Sequence, residues 1–67
     1  MENSNNLTQE QQETIETALN SVPLGMRIGM YGTMEGIQEQ IGRGDKVIFY
    51  MSPTPFGFGL TKMNIGD

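Results

Sequence analysis

The first regularly spaced apolar positions in the chain predict a helix. They follow the i, i+3, i+4, i+7 spacing of a helix with one buried face, and they are Ile15, Ala18, Leu19 and Val22. Upstream, Thr8 and Gln11 match a capping box, in which each side chain accepts a hydrogen bond from the other residue's backbone amide. Pro23 disfavours helical backbone at the residue before it. The sequence therefore predicts a helix over residues 8–20, preceded by a flexible polar tail over residues 1–7.

The stretch that follows the helix has the period of a strand. Met26, Ile28 and Met30 alternate with polar or small residues, as in a strand with one buried face. Glycines punctuate the rest of the chain, which is typical of short strands in a tightly curved sheet. We therefore expect a strand over 26–31, the first of a β module that extends over 24–65.

Residues 33–41 fit two different structures. Their apolar positions have helical spacing, and they are Met34, Ile37 and Ile41. As a helix, the stretch begins at a Thr33 cap and ends at Gly42. As a strand, it bends at Gly36 and buries its isoleucines on one face. Periodicity slightly favours the helix, and both structures remain open at this point.

The strongest strand pattern runs from Lys46 to Met51, where β-branched and aromatic residues follow one another without interruption. Apolar side chains alternate between its two faces, with Ile48 and Tyr50 on one and Val47, Phe49 and Met51 on the other. Both faces therefore require cover. The helix covers one of them, and we expect a second subunit to cover the other.

The C-terminal part predicts a connector and a last strand. Residues 52–55 contain two prolines, so we expect an extended connector there rather than a central strand. In the strand that follows, Phe56, Phe58 and Leu60 alternate with Gly57, Gly59 and Thr61. Its bare glycine face permits the close approach of another backbone. Together with the two-faced strand, it predicts an oligomer interface at Ile48, Tyr50, Gly57 and Gly59.

Composition favours one small domain, over 8–67, that self-associates. The chain has 67 residues with six Met and nine Gly, and it lacks Cys and His. Domains this small usually need disulfides, a metal or oligomerisation for stability, and only oligomerisation suits these residues. No apolar run approaches the roughly 20 residues that span a bilayer. We therefore expect no membrane partner and a cytoplasmic protein.

Charge and chemistry narrow the functional classes. The net charge of −4 belongs to residues 1–24, because the four acidic and four basic residues of the remainder cancel. Without His or Cys, the usual general bases and nucleophiles are missing, so we expect neither an enzyme nor a cofactor. Glu35 and Glu39 would share a helix face, but two carboxylates supply too few oxygens for a cation site, and we predict no metal.

Five residues are candidates for contacts to single-stranded nucleic acid. Three lie in or next to one glycine-flanked turn, and two are aromatic residues near turns: Arg43, Asp45, Lys46, Tyr31 and Phe56. Bases stack on exposed rings that lie beside a cation. For these residues the structural alternative is a plain turn and aromatic side chains that belong to the core.

The segment 41–53 resembles the second signature of the Sm and Sm-like proteins. It reads Ile-Gly-Arg-Gly-Asp-Lys-Val-Ile-Phe-Tyr-Met-Ser-Pro, and in that family a similar turn leads into an apolar closing strand. The resemblance implies a helix on a bent five-stranded barrel, rings formed by strand pairing, and single-stranded RNA bound at the pore. The element order fits best if 46–51 is the third strand, so that Arg43 and Asp45 match the base-gripping loop. The Asn of that loop is missing, and a fifth strand after Asn64 is not evident.

These observations lead to one interpretation and one alternative for fold and function. The fold class is mainly β with an N-terminal α-helix, as an Sm-like or SH3-like strongly bent antiparallel barrel. The alternative is an α+β fold with a second short helix at 33–41. The expected function is a homo-oligomeric ring that binds single-stranded RNA or DNA weakly. The alternative is a small virion component or an inhibitor of a host protein that binds through the acidic helix.

Overall fold

The structure, a computed structural model, describes residues 7–66 and forms two helices and one β-hairpin. The elements in chain order are α1 (Gln9–Ser21), a 3₁₀ turn (Leu24–Met26), α2 (Met34–Gly42), β1 (Val47–Thr54) and β2 (Gly57–Asn64). Both helices pack against β1, on one side of the hairpin. The fold is therefore α+β, which is the alternative that the sequence left open.

Helix α1 confirms the prediction almost to the residue. Thr8 is the N-cap, its hydroxyl accepts the Gln11 amide at 3.1 Å, and the Gln11 side chain accepts the Thr8 amide at 3.0 Å. Val22 is extended, as expected before a proline. Leu7, predicted in the flexible tail, is instead buried, in the core cluster formed by residues of α1, α2 and β1. The rest of that tail, residues 1–6, lies outside the described residues.

The strand predicted over 26–31 is wrong. The chain forms the 3₁₀ turn and then a second turn at 29–32, and Ile28 is 75% exposed. Alternating residues form a strand only where a neighbouring strand pairs with them along their length, and β1 meets this segment only at its end, where the Met51 amide donates to the Tyr31 carbonyl at 2.8 Å. Arg27 instead caps α1: its guanidinium donates to the carbonyl oxygens of Val22 at 2.6 Å and Asn20 at 3.0 Å.

Helix α2 resolves the ambiguous segment in favour of the helix. The Thr33 hydroxyl caps it by accepting the Gly36 amide at 3.1 Å. Ile37 and Ile41 are buried on its inner face. Gly36 packs directly against the backbone of Met30, where a Cβ atom would overlap the Met30 carbonyl. Gly36 therefore does not bend a strand, and its missing side chain instead lets two chain segments approach closely.

The hairpin confirms both C-terminal strands and extends both of them, although Phe56, predicted in the last strand, lies in the loop. β1 and β2 are antiparallel, from Val47 opposite Asn64 to Thr54 opposite Gly57, with a two-residue loop. The connector predicted over 52–55 is wrong for its first three residues, which belong to β1. Pro53 is tolerated because odd-numbered residues of β1 direct their amides away from β2, so that its missing N–H breaks no bond of the hairpin.

The core lies between the helices and one face of the hairpin. Ile15, Ile37 and Ile48 are fully buried there, and Tyr50 is 4% exposed. Ile48 and Tyr50 therefore correct the predicted oligomer interface, because α1 and α2 of the same chain already cover them. Residues 7–66 contain a two-stranded sheet rather than the expected barrel, since one segment predicted as a strand is a pair of turns and another is α2.

Within residues 7–66, neither helix has the length and apolar character that crossing a membrane requires.

Candidate functional site

The hairpin face that points away from the helices carries a set of exposed or half-buried apolar side chains, here called the outer face. Met51 is opposite Leu60 and Pro53 is opposite Phe58, and the full set is Val47, Phe49, Met51, Pro53, Phe58 and Leu60. Phe49 is 39%, Phe58 36% and Leu60 53% exposed. Exposed apolar side chains that are contiguous mark interaction surfaces more often than scattered ones do. The outer face is therefore the main candidate binding surface.

One edge of the hairpin is closed by side-chain and loop contacts. The buried Gln40 carboxamide accepts the Phe49 amide at 2.9 Å and donates to the Phe49 carbonyl at 2.8 Å. Two residues further along β1, the Met51 amide donates to the Tyr31 carbonyl at 2.8 Å. Gln40 thus replaces the peptide group of a neighbouring strand. The free edge of β1 is occupied where another chain would otherwise pair with it.

The other edge of the hairpin, along β2, is open over its middle. Phe49 directs its hydrogen-bonding groups away from β2, so its partner Lys62 directs its own groups away from β1. The two-residue period gives Leu60 and Phe58 the same orientation. At the base of the strand, the Asn64 carbonyl accepts the Gln11 side chain at 3.0 Å. The structure gives the outward backbone groups of 58, 60 and 62 no partner within residues 7–66.

The predicted nucleic-acid loop contains an ion pair. Arg43 donates to the Asp45 carboxylate at 2.6 Å, and their side chains are 53% and 34% exposed. The hydrogen bond and the negative charge of Asp45 raise the pKa of Arg43 above its ordinary value, and the charge of Glu39 adds to this. Arg43 also lies 3.8 Å from the sulfur of Met30. The positive charge of Arg43 is thus largely neutralised by Asp45 of the same chain.

The structure brings together some of the five nucleic-acid candidates and separates one. Tyr31 is 40% exposed and follows Met30, whose sulfur Arg43 contacts, and Lys46 follows the same loop. Phe56 is 99% exposed but sits at the hairpin tip. The eight residues of β1 separate it from the loop by roughly 25 Å at about 3.3 Å per residue. Phe56 and Arg43 therefore cannot stack and pair with the same nucleotide.

Sequence reasoning found part of this surface and missed part. The apolar pattern of 46–51 indicates that both faces of the strand need cover. The predicted interface placed the second subunit on the face of Ile48 and Tyr50, which the helices of the same chain cover. Gly57 and Gly59 lie on the inner side of the hairpin, beyond the helices, beside a Ser52–Thr61 hydroxyl contact. The role of Gln40 carried no signal, because a glutamine in a polar helix position is unremarkable until its partner strand is known.

Comparison of this chain with protein-family models, with curated proteins and with solved structures gave no match in any of the three.

Proposed function

We propose that this protein is a self-associating interaction module that pairs with a second copy through the open edge of β2. The observation that carries the proposal is the difference between the two edges. Gln40 and Tyr31 occupy the edge of β1, whereas 58, 60 and 62 leave their backbone groups free next to the apolar outer face. An exposed strand edge is a template for another strand.

The number of open edges favours a dimer over a ring. A ring held together by strand pairing needs two open edges in each subunit, because the contact runs from one surface to a different one. Residues 7–66 of each copy offer one, the edge of β2. Two copies that pair through the same edge form an antiparallel, two-fold symmetric contact, which is closed and adds no further copies. Strand pairing, which the Sm-like resemblance implies, is retained in this proposal, and the ring is not.

The outer face selects the register of the pairing. With Leu60 opposite Leu60 of the second copy, Phe58 stands opposite Lys62 and the two leucines continue a row from Met51 to Met51. A register that places Lys62 opposite Lys62 sets like charges against each other and is unfavourable. The four-stranded sheet also supports the distal half of the hairpin, which the helices do not cover, since two strands alone are marginally stable.

The first prediction is that Leu60→Lys abolishes dimerisation. The substitution places a lysine pair at the two-fold axis, where both the apolar contact and the strand pairing are lost. We expect the wild-type chain to have twice the monomer mass in analytical ultracentrifugation, and the variant to have the monomer mass. Ile28→Lys is the matched control, because Ile28 is 75% exposed and lies outside the hairpin. A monomeric wild type at millimolar concentration contradicts the proposal.

The same contact is testable by cross-linking, because the chain has no native cysteine. In the proposed register, Leu60 and Leu60 of the second copy form a hydrogen-bonded pair with Cα atoms about 5.5 Å apart. The Cβ atoms of such a pair are about 5.5 Å apart, which is too far for an unstrained disulfide but within reach of a short thiol-reactive cross-linker. Leu60→Cys therefore forms a covalent dimer with that reagent. In Lys62→Cys the two thiols are four residues apart along the strands, about 13 Å, and remain unlinked. Equal cross-linking of both variants rules out the register.

A second candidate function is weak binding of single-stranded RNA at the Arg43 loop. The specific observation that favours it is that Arg43 lies 3.8 Å from the sulfur of Met30, the neighbour of the partly exposed Tyr31, because bases stack on rings beside a cation. We expect Arg43→Ala to weaken the binding of a fluorescent oligouridine at low salt and to reduce its salt dependence. Lys62→Ala, which removes the same charge from the hairpin, is the control. No binding by the wild type, or equal loss in both variants, excludes this function.

A further inference from the structure

An open groove lies between α1 and α2, apart from the hairpin's outer face. It has a volume of about 480 Å³, which falls within the range of ligand pockets. Its apolar lining comes from three elements: Leu19 on α1, Leu24 in the 3₁₀ turn and Met34 on α2. Leu24 is 79% exposed, so a large aliphatic side chain stands at the rim with nothing packed on it.

Carboxylates stand on two sides of this groove. Glu16 projects from α1 and Glu35 from the first turn of α2. Within residues 7–66 neither carboxylate is in an ion pair, since the ion pair there is Arg43–Asp45. The cation that lines the groove, Arg27, is held by the carbonyl oxygens of Asn20 and Val22. The Glu16 carboxylate accepts a hydrogen bond from the Gln12 side chain at 3.3 Å but has no cationic partner. A cationic group that enters the groove therefore meets two carboxylates that are not in ion pairs within residues 7–66.

The occupant that fits this arrangement has an aliphatic side chain flanked by cations. An aliphatic chain covers Leu24 and Met34, next to Leu19, which is only 6% exposed, and a cation on either side reaches Glu16 and Glu35. The side chains of residues 1–6 do not meet the requirement, because they include Glu2 and no Lys or Arg. The net charge of −4 further favours a basic partner through long-range attraction.

We propose that the groove between α1 and α2 binds a basic segment of a partner polypeptide, anchored by one aliphatic side chain between two lysines or arginines. This site differs from the β2 edge in position and in chemistry, so it does not depend on the self-association proposed above. It also gives the acidic part of the chain a specific use, in which one carboxylate of α1 acts together with one of α2.

The test is a titration of the ¹⁵N-labelled protein, followed by NMR, with capped pentapeptides. The probe is acetyl-Gly-Lys-Leu-Lys-Gly-amide, and the two comparison peptides replace its lysines with glutamates or its leucine with glycine. We expect saturable shifts at the amides of Leu19, Leu24 and Glu35 with a Kd near 1 mM, about 4 kcal/mol of binding free energy. The comparison peptides bind at least tenfold more weakly.

Matched variants distinguish binding at the groove from general attraction of a basic peptide to an acidic protein. Glu16→Gln combined with Glu35→Gln removes two charges at the groove, and Glu13→Gln combined with Glu39→Gln removes two from the same helices outside it. We expect the first pair to weaken the probe at least fivefold and the second to change its Kd less than twofold. Leu24→Ala also weakens binding at little cost in stability, because this side chain is already exposed.

Three outcomes overturn the proposal. The first is the absence of saturable shifts with the lysine probe, and the second is an equal loss of affinity in the two double variants. The third is a lower oligomer mass for Leu24→Ala, which would mean that a second copy of this chain fills the groove. Repeating the titration with Leu60→Lys keeps the two proposals distinguishable, because the groove is intact in that variant whether or not the wild type dimerises.

Discussion

Gly36 lies in the first turn of α2, in contact with the backbone of Met30. Glycine within a helix is ordinarily unfavourable relative to alanine by up to about 1 kcal/mol, so propensity alone predicts that Gly36→Ala stabilises the protein. A Cβ atom there overlaps the Met30 carbonyl, which is backbone and cannot rotate away. Overpacking of this kind costs about 1–3 kcal/mol, which exceeds the gain in propensity.

We therefore expect Gly36→Ala to lower the free energy of unfolding, measured by urea denaturation, by about 1–3 kcal/mol. Gly42→Ala is the control at the other end of the same helix, where a Cβ atom meets nothing within 4 Å. That variant should be neutral or stabilising, by up to about 1 kcal/mol. If both substitutions stabilise the protein, Met30 does not pack against Gly36 as described.

Single residues were also where the sequence was most informative. Thr8 and Gln11 form a local contact whose partners are three residues apart, so the pattern alone identifies the capping box. Thr33 and Gly42 bounded α2 for the same reason. The burial of Leu7 was missed because it depends on the helix surface onto which this residue folds back, which no local pattern specifies.

At the scale of elements, Gln40 joins α2 to β1. Its side chain is 1% exposed and makes both of its hydrogen bonds to the backbone of Phe49. If the carboxamide is removed, the N–H and C=O of Phe49 lose their partner in a partly buried setting. Backbone groups left unsatisfied in this way cost about 1–3 kcal/mol.

Gln40→Met preserves much of the side-chain volume and should therefore destabilise the fold by about 1–3 kcal/mol through the lost hydrogen bonds. Gln38→Met is the control, since Gln38 is on the same helix and its side chain makes no hydrogen bond within residues 7–66. Thermal unfolding followed by circular dichroism compares the two. Equal melting temperatures for the variants would show that the Phe49 contact contributes nothing to stability.

A helix or strand could be predicted where the residues that specify it are close together in the sequence. The two C-terminal strands were found because aromatic and β-branched residues are concentrated there. The segment 26–31 has the same alternation but lacks a partner strand, and partner choice is a property of the whole chain. The prolines of 52–55 predict a connector, because proline has no N–H for a central strand. Whether the missing N–H of Pro53 matters depends on whether it would point towards β2, and the pairing register decides this.

At the scale of the whole molecule, the expected barrel failed because it required five strands and residues 7–66 provide two. The prediction of an uncovered strand face survives in a changed form. The helices cover Ile48 and Tyr50, and the exposed side is the one with Phe49. Periodicity identifies two apolar faces but does not say which one the chain's own helices will cover. The α1–α2 groove was equally invisible, since its lining comes from three separate elements.

The buried glutamine also bears on aggregation. A molecule with two open strand edges adds further copies at both, and such growth leads to fibrils in which every strand is paired on both sides. In the proposed dimer, Gln40 and Tyr31 occupy the β1 edge at Phe49 and Met51, so residues 7–66 of each molecule offer the β2 edge, and the pairing uses it. Under this proposal one side-chain amide acts as a chain terminator: it limits an aromatic-rich hairpin to finite assembly and keeps it from templating a fibre.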